Sequence, residues 1–267
     1  MSALIEQLTD YTHADTSVPI LYKASQIDNG TLLSLDFRDG QCYASGSVPA
    51  TVTNGQVLNN IIDGGGTLSL TTGVTNTITS AGLKFQATSG QYIDLGSIGK
   101  MATGATQFGF GGWVKGVDSS ADPNAYSAIA GYMSSTAAAN CQWVIQHPRA
   151  SANYQGQVAG LVCNITLADG AVAHLFWVAT IAGGTLTLQG YKNGTLVNTV
   201  SATLASMGLS QLPTPTAPSR IGQVQGYNQP CACELGSFDF EDFTVSGAAG
   251  ITAFLAAAYG DNVGRFS

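Results

Sequence analysis

The apolar positions of this chain recur mostly with a period of two, the spacing of β-strands that bury one face. The pattern is clearest over residues 174–200, HLFWVATIAGGTLTLQGYKNGTLVNTV. Residues 174–181 are rich in aromatic and β-branched side chains, as a buried strand requires. Gly183-Gly184 closes a hairpin, because neither position carries a Cβ that would clash at positive φ. Leu186 and Leu188 then point one way, and Thr185, Thr187 and Gln189 the other. Asn193-Gly194 closes a second hairpin, and residues 196–200 form the return strand.

The same reading predicts strands at 33–37, 68–70, 82–85, 92–95, 108–116, 127–133, 141–146, 158–165, 219–222 and 236–243. Residues 44–66 are rich in Gly, Asn and Thr, with a loop at Asp63-Gly64-Gly65-Gly66, while Pro213, Pro215 and Pro218 interrupt regular structure. Residues 248–259 predict one short helix, with Gly260 just beyond its end. Residues 1–30 differ from the rest. Leu4, Ile5 and Leu8 fall on one side of a short amphipathic helix that Ser17-Val18-Pro19 would end. The expected organisation is an arm at 1–30, either an extra element on the domain or an attachment segment, followed by one domain at 31–267.

Several stretches resemble concanavalin A-like, laminin G-like jelly-roll domains, in the right order from about residue 32 to 260. They are GLKF (82–85), YIDLG (92–96), FGFGGWVKG (108–116), LTLQGYKNGTLVNT (186–199) and GSFDFEDF (236–243). One departure is Gly190, where an apolar residue commonly precedes the Tyr. The resemblance implies an all-β, two-sheet antiparallel jelly-roll sandwich with a short C-terminal helix.

Composition narrows the function classes. Charged residues make up 9% of the 267 positions, against a usual quarter or so, while 45% are apolar, enough for a sizeable core. The net charge is −7 and the nine Lys and Arg residues are scattered, so no basic patch awaits a nucleic acid. No apolar run reaches the roughly 20 residues of a membrane span, and residues 1–15 lack the features of a secretory signal. Synthesis and assembly in a cytoplasm are expected. Five cysteines at irregular spacing, Cys42, Cys141, Cys163, Cys231 and Cys233, read as buried or half-buried free thiols.

Candidate chemistry is sparse, and no cofactor is expected. The fold's laminarinase-type glycosidases carry E-x-D-x-x-E on one strand. Here Asp239 and Glu241 share a strand face but lack the third acid, and a solvated outer face is the expected role rather than a retaining pair. His174 is expected to be a satisfied buried residue. Asp118, Asp122 and Asn124 could offer oxygens to calcium, but a polar turn around Pro123 is preferred and no metal is expected. The loops QHPRASANYQGQ (146–157) and QVQGYNQPCAC (223–233) present Tyr among amides. This makes Tyr154, Tyr227 and Asn228 the candidates for sugar binding or for a protein interface.

The resulting expectation is a non-enzymatic structural protein of a tailed-bacteriophage virion, a capsid decoration or tail accessory protein with capsid or tail partners. A glycan-binding adhesin for host-surface polysaccharide is the alternative. Exposed edge strands lead us to expect a homo-oligomer.

Overall fold

The computed structural model describes residues 26–62, 64–86, 90–116, 126–135, 137–148, 151–225, 232–245 and 247–266. Its first strands are β1 (Thr31–Asp36), β2 (Thr51–Val52), β3 (Val57–Asn59), β4 (Thr67–Thr71), β5 (Asn76–Thr79) and β6 (Gly82–Lys84). They continue with β7 (Tyr92–Gly96), β8 (Gln107–Lys115), β9 (Tyr126–Met133), β10 (Cys141–Pro148), β11 (Asn153–Val158) and β12 (Leu161–Thr166). The last are β13 (Val172–Ala182), β14 (Thr185–Lys192), β15 (Thr195–Thr203), β16 (Ser219–Gly222), β17 (Glu234–Leu235) and β18 (Ser237–Asp242), followed by helix α1 (Ile251–Gly260).

The strands form two antiparallel sheets packed face to face, the expected all-β sandwich. A ten-stranded sheet runs β15-β14-β13-β8-β17-β6-β5-β2, with β18 also on β8 and β1 on β18. An eight-stranded sheet runs β12-β11-β10-β9-β16-β7-β4-β3. Between them lies an aromatic centre drawn from both. Phe110 sits 5.0 Å from Trp143, and Trp143 sits 5.1 Å from Phe240, ring centre to ring centre. All three buried indole N–H groups are paired: Trp143 donates to the Gly99 carbonyl at 2.7 Å, Trp177 to that of Cys163 at 2.9 Å and Trp113 to that of Ala258 at 3.3 Å.

The two central hairpins form as the alternation predicts. Leu186 and Leu188 are buried between more exposed neighbours, and Gly183, Gly184, Asn193 and Gly194 all take positive φ. Helix α1 lies across the outer face of the ten-stranded sheet. There Phe254, Leu255 and Ala258 cluster with Phe176 and Val178.

Three expectations differ from the structure. Residues 158–165 are not one strand, because Ala159 (φ 50°) and Gly160 (φ 88°) turn the chain between β11 and β12. An alanine in the left-handed region is uncommon, so its sequence carries no turn signal. Part of 146–157 is strand β11 rather than loop. The Gly- and Thr-rich stretch 44–66 contains the short strands β2 and β3. Four cysteines, Cys42, Cys141, Cys163 and Cys233, are free and buried, as expected, while Cys231 lies outside the described residues.

Candidate functional site

Strands β10, β11 and β12 carry a row of amides on the outer face of the eight-stranded sheet. Trp143, Ile145, Tyr154, Val158, Cys163 and Ile165 point into the core. Strand alternation therefore sends Gln146, Gln155, Gln157 and Asn164 to the outer face, where Gln146 is buried, Gln155 and Gln157 are half-buried and Asn164 is exposed. Register does the rest: Gln146 stands opposite Gln155, and Gln155 opposite Asn164, so three strands contribute one continuous line.

Within this row the Gln146 amide donates to Oε1 of Gln155 at 3.0 Å and to Oε1 of Gln157 at 3.4 Å. Both acceptors are thereby oriented with their NH₂ groups turned away from the shared donor. Among the described residues neither of those NH₂ groups has a hydrogen-bond partner.

The row leads into an open groove of about 380 Å³ where the sheet edges meet, lined by Asn164, Ile165, Thr166, Lys192, Val197 and Asn198. Its walls are tied across the sandwich. The Lys192 ammonium donates to the Thr166 carbonyl at 2.8 Å, and the Asn198 amide donates to the Asn164 carbonyl at 3.0 Å. Among the described residues Lys192 is the only ionisable side chain in the groove lining. Amides that donate and accept on one surface match hydroxyl-rich ligands, whose groups also do both.

Farther along the same face, Arg220 lies 3.9 Å over the Tyr92 ring, with its Nε 3.7 Å from the Asp94 carboxylate. That ring face is occupied.

The sites nominated from sequence fare differently. Tyr154 is fully buried in the core, with its ring 4.7 Å from that of His147. It is a packing residue and not an exposed platform, because its place on β11 faces inward. Tyr227 and Asn228 lie outside the described residues, as do Asp118, Asp122 and Asn124. Among the described residues no cluster of three or more His, Cys, Asp or Glu could hold a metal ion, and no helix is long and apolar enough to cross a membrane.

Asp239 and Glu241 do share one face of β18, but that face is not solvated: each is 1% exposed. The C-terminal segment lies against this side of the sheet, tied there at two places. The Asp28 carboxylate accepts from the Ala249 N–H, and Asp36 pairs with Arg265 at 2.8 Å. Asp239 accepts a hydrogen bond from Ser34 Oγ at 2.7 Å, while Oε1 of Glu241 has no partner among the described residues. Burial pushes the Asp239 carboxyl up to about 7. Burial, with the neighbouring Asp239 carboxylate, pushes Glu241 up to about 9. Both acids therefore hold protons far above the ordinary carboxylate range.

His174 is buried as expected but not satisfied. Among the described residues neither ring nitrogen has a hydrogen-bond partner, and the ring packs against Phe176 and Trp113, each 5.8 Å away. Burial pushes its pKa down to about 4, keeping it neutral.

No protein-family model matches the chain, and neither does any curated protein. Similar solved structures exist. The botulinum neurotoxin serotype D binding domain aligns with a TM-score of 0.52 at 9% identity, covering 89% of this chain and 52% of that one. A mutant Trypanosoma rangeli sialidase with trans-sialidase activity aligns at 0.48 and 11%, covering 81% and 32%. A GH54 α-L-arabinofuranosidase aligns at 0.47 and 8%, covering 76% and 50%. The chain thus spans about half or less of the length of these proteins.

Two of the three are enzymes. That finding overturns the expectation of a non-enzyme, which relied on the absence of a recognisable catalytic set. The likeness itself assigns no activity. With its two antiparallel sheets the chain is an all-β sandwich, a fold it shares with the botulinum neurotoxin serotype D binding domain.

Proposed function

We propose that residues 31–267 form a carbohydrate-recognition domain that binds a neutral glycan along the outer face of β10, β11 and β12, with residues 1–30 as an arm whose last residues, 26–30, pack on that domain. The observation that carries this reading is the line of amides Gln146, Gln155 and Asn164, with Gln157 beside it and two NH₂ groups facing outward. An uncharged surface of donors and acceptors suits sugar hydroxyls. Among the described residues it lacks the paired cations that a carboxylate or sulfate ligand would demand. The open groove at the end of the row lets a chain continue past it, which favours an internal segment of a polysaccharide over a chain end. The shared sandwich with the botulinum neurotoxin serotype D binding domain agrees with a recognition role. None of the similar structures described above is a virion protein, and the capsid or tail role expected from composition gains no support from them.

Isothermal titration against a panel of neutral and acidic polysaccharides tests the proposal. A neutral polymer should bind, and the double variant Gln155→Ala/Gln157→Ala should bind it about 30-fold more weakly, two neutral hydrogen bonds at about 1 kcal/mol each being lost. No binding across the panel, binding confined to acidic polymers, or unchanged affinity in the variant would each refute it.

A further inference from the structure

Where the amide row reaches the sheet edges, two local features build the groove. Gly190 on β14 faces β12, and an added Cβ there would lie 3.0 Å from the Ile165 side chain and 3.1 Å from the Cys163 sulfur. Its missing side chain lets β12 pack close against β14. The register between β14 and β15 then shifts. Gly190 stands opposite Asn198 and Tyr191 opposite Leu196, so Val197 is left without a partner. Such a bulge re-aims the extra side chain, and Val197 lines the groove while 50% exposed.

On either side of Val197 stands a polar group held to β12. Lys192, opposite Thr195 in the ladder, spends one N–H on the Thr166 carbonyl, which leaves two. Asn198 turns its NH₂ to the Asn164 carbonyl. A carbonyl only accepts, so Oδ1 of Asn198 faces away, and among the described residues it has no hydrogen-bond partner. The two anchoring carbonyls are two residues apart on one strand, about 7 Å. The groove thus offers, in order, a donor, an apolar wall and an acceptor.

We infer that this groove recognises the acetamido group of an N-acetylated hexose in the bound glycan, its carbonyl accepting from Lys192, its N–H donating to Asn198 and its methyl packed on Val197. The inference rests on the neutral-glycan reading and names the class of sugar. The C=O and N–H of a secondary amide point in opposite directions, so their partners lie roughly 7–8 Å apart, close to the spacing of the two anchors. Other substituents use less of the groove. A carboxylate would meet one ammonium but also the Asn198 oxygen. A deoxy-sugar methyl would leave both polar groups unused, and a bare hydroxyl is too short to bridge them.

Titration calorimetry with pairs of neutral ligands that differ only at C2 tests the inference. The pairs are fully N-acetylated chitohexaose against cellohexaose, and methyl N-acetylgalactosaminide against methyl galactoside. In at least one pair the acetamido member should bind about 10-fold more tightly or better. Lys192→Met, which keeps the aliphatic stem, should lower that preference about 5-fold, and Val197→Ser about 4-fold. Both should leave the affinity for the hydroxyl member and the thermal midpoint unchanged. Equal or reversed affinities within both pairs, while a neutral polymer still binds through Gln155 and Gln157, would overturn this inference and leave the glycan reading standing. So would a preference that survives both substitutions. A protein that binds no neutral ligand at all would overturn both.

Discussion

Replacing Glu241 with glutamine should abolish most of the loss of stability that this protein suffers between pH 7 and pH 8.5. In the folded chain Glu241 is buried beside Asp239 and keeps its proton up to about pH 9. In the unfolded chain it ionises near 4.5, the ordinary value for a glutamate. Between these values the folded state binds one more proton than the unfolded state. Stability is therefore fully present below pH 4.5 and is lost as pH rises toward 9.

The slope is about 1.4 kcal/mol per pH unit, so the interval from pH 7 to 8.5 costs about 2 kcal/mol. Asp239, with its carboxyl at about 7, has by then released most of its proton. It adds only a few tenths of a kcal/mol over this interval, roughly, and acts mainly below pH 7. Urea titrations at the two pH values measure the effect. At a slope of about 3 kcal/mol per molar urea, the wild-type midpoint should fall by about 0.7 M, while that of Glu241→Gln should move by less than about a third as much. Cys42, Cys141 and Cys163, whose thiols burial pushes up to about 12, 12 and 11, add a smaller loss of the same sign as unfolded thiols begin to ionise near pH 8.5. This share is common to both proteins, so the difference between wild type and Glu241→Gln isolates Glu241. A wild type equally stable at both values, or a variant with the full slope, would show that Glu241 is ionised in the folded protein and refute the reasoning.

Two further outcomes are expected. His174→Leu, which removes two unpartnered buried nitrogens, should be neutral or stabilising at pH 7. It should also spare the protein on the order of 3 kcal/mol of the loss that His174 imposes between pH 6.5 and pH 4, where the unfolded imidazole takes up a proton that the folded one refuses. Measured by urea unfolding, an equal acid limb in both proteins would contradict this. Gly82→Ala should cost about 3 kcal/mol or more, because residue 82 has φ 121° and its added Cβ would lie 1.9 Å from the Leu235 carbonyl oxygen. A thermal midpoint within a degree or two of wild type would mean that the β6–β17 pairing there yields easily.

Local chemistry made much of this fold legible. Alternation at 185–189 told inward from outward residues, and Gly183-Gly184 and Asn193-Gly194 marked turns because few residues tolerate positive φ. What lies beyond a strand's own face could not be read in the same way. Asp239 and Glu241 were correctly placed opposite Phe238 and Phe240, yet whether an outward side chain meets water depends on a third layer. Here the C-terminal segment, held by Asp28 and Asp36, supplies it. Tyr154 looked like a loop aromatic because the Ala159-Gly160 turn was invisible, and with it the hairpin that turns Tyr154 inward and Gln155 and Gln157 outward.

The period-two spacing of Asn153, Gln155 and Gln157 was present in the sequence, but the candidate site was not. A line of amides exists only once register sets Gln146 against Gln155 and Gln155 against Asn164. The chain by itself thus determined which residues could face inward, because that is a property of one strand's geometry. Only the tertiary structure decided which of the outward ones would lie side by side and which would be covered, because both depend on partners distant in sequence.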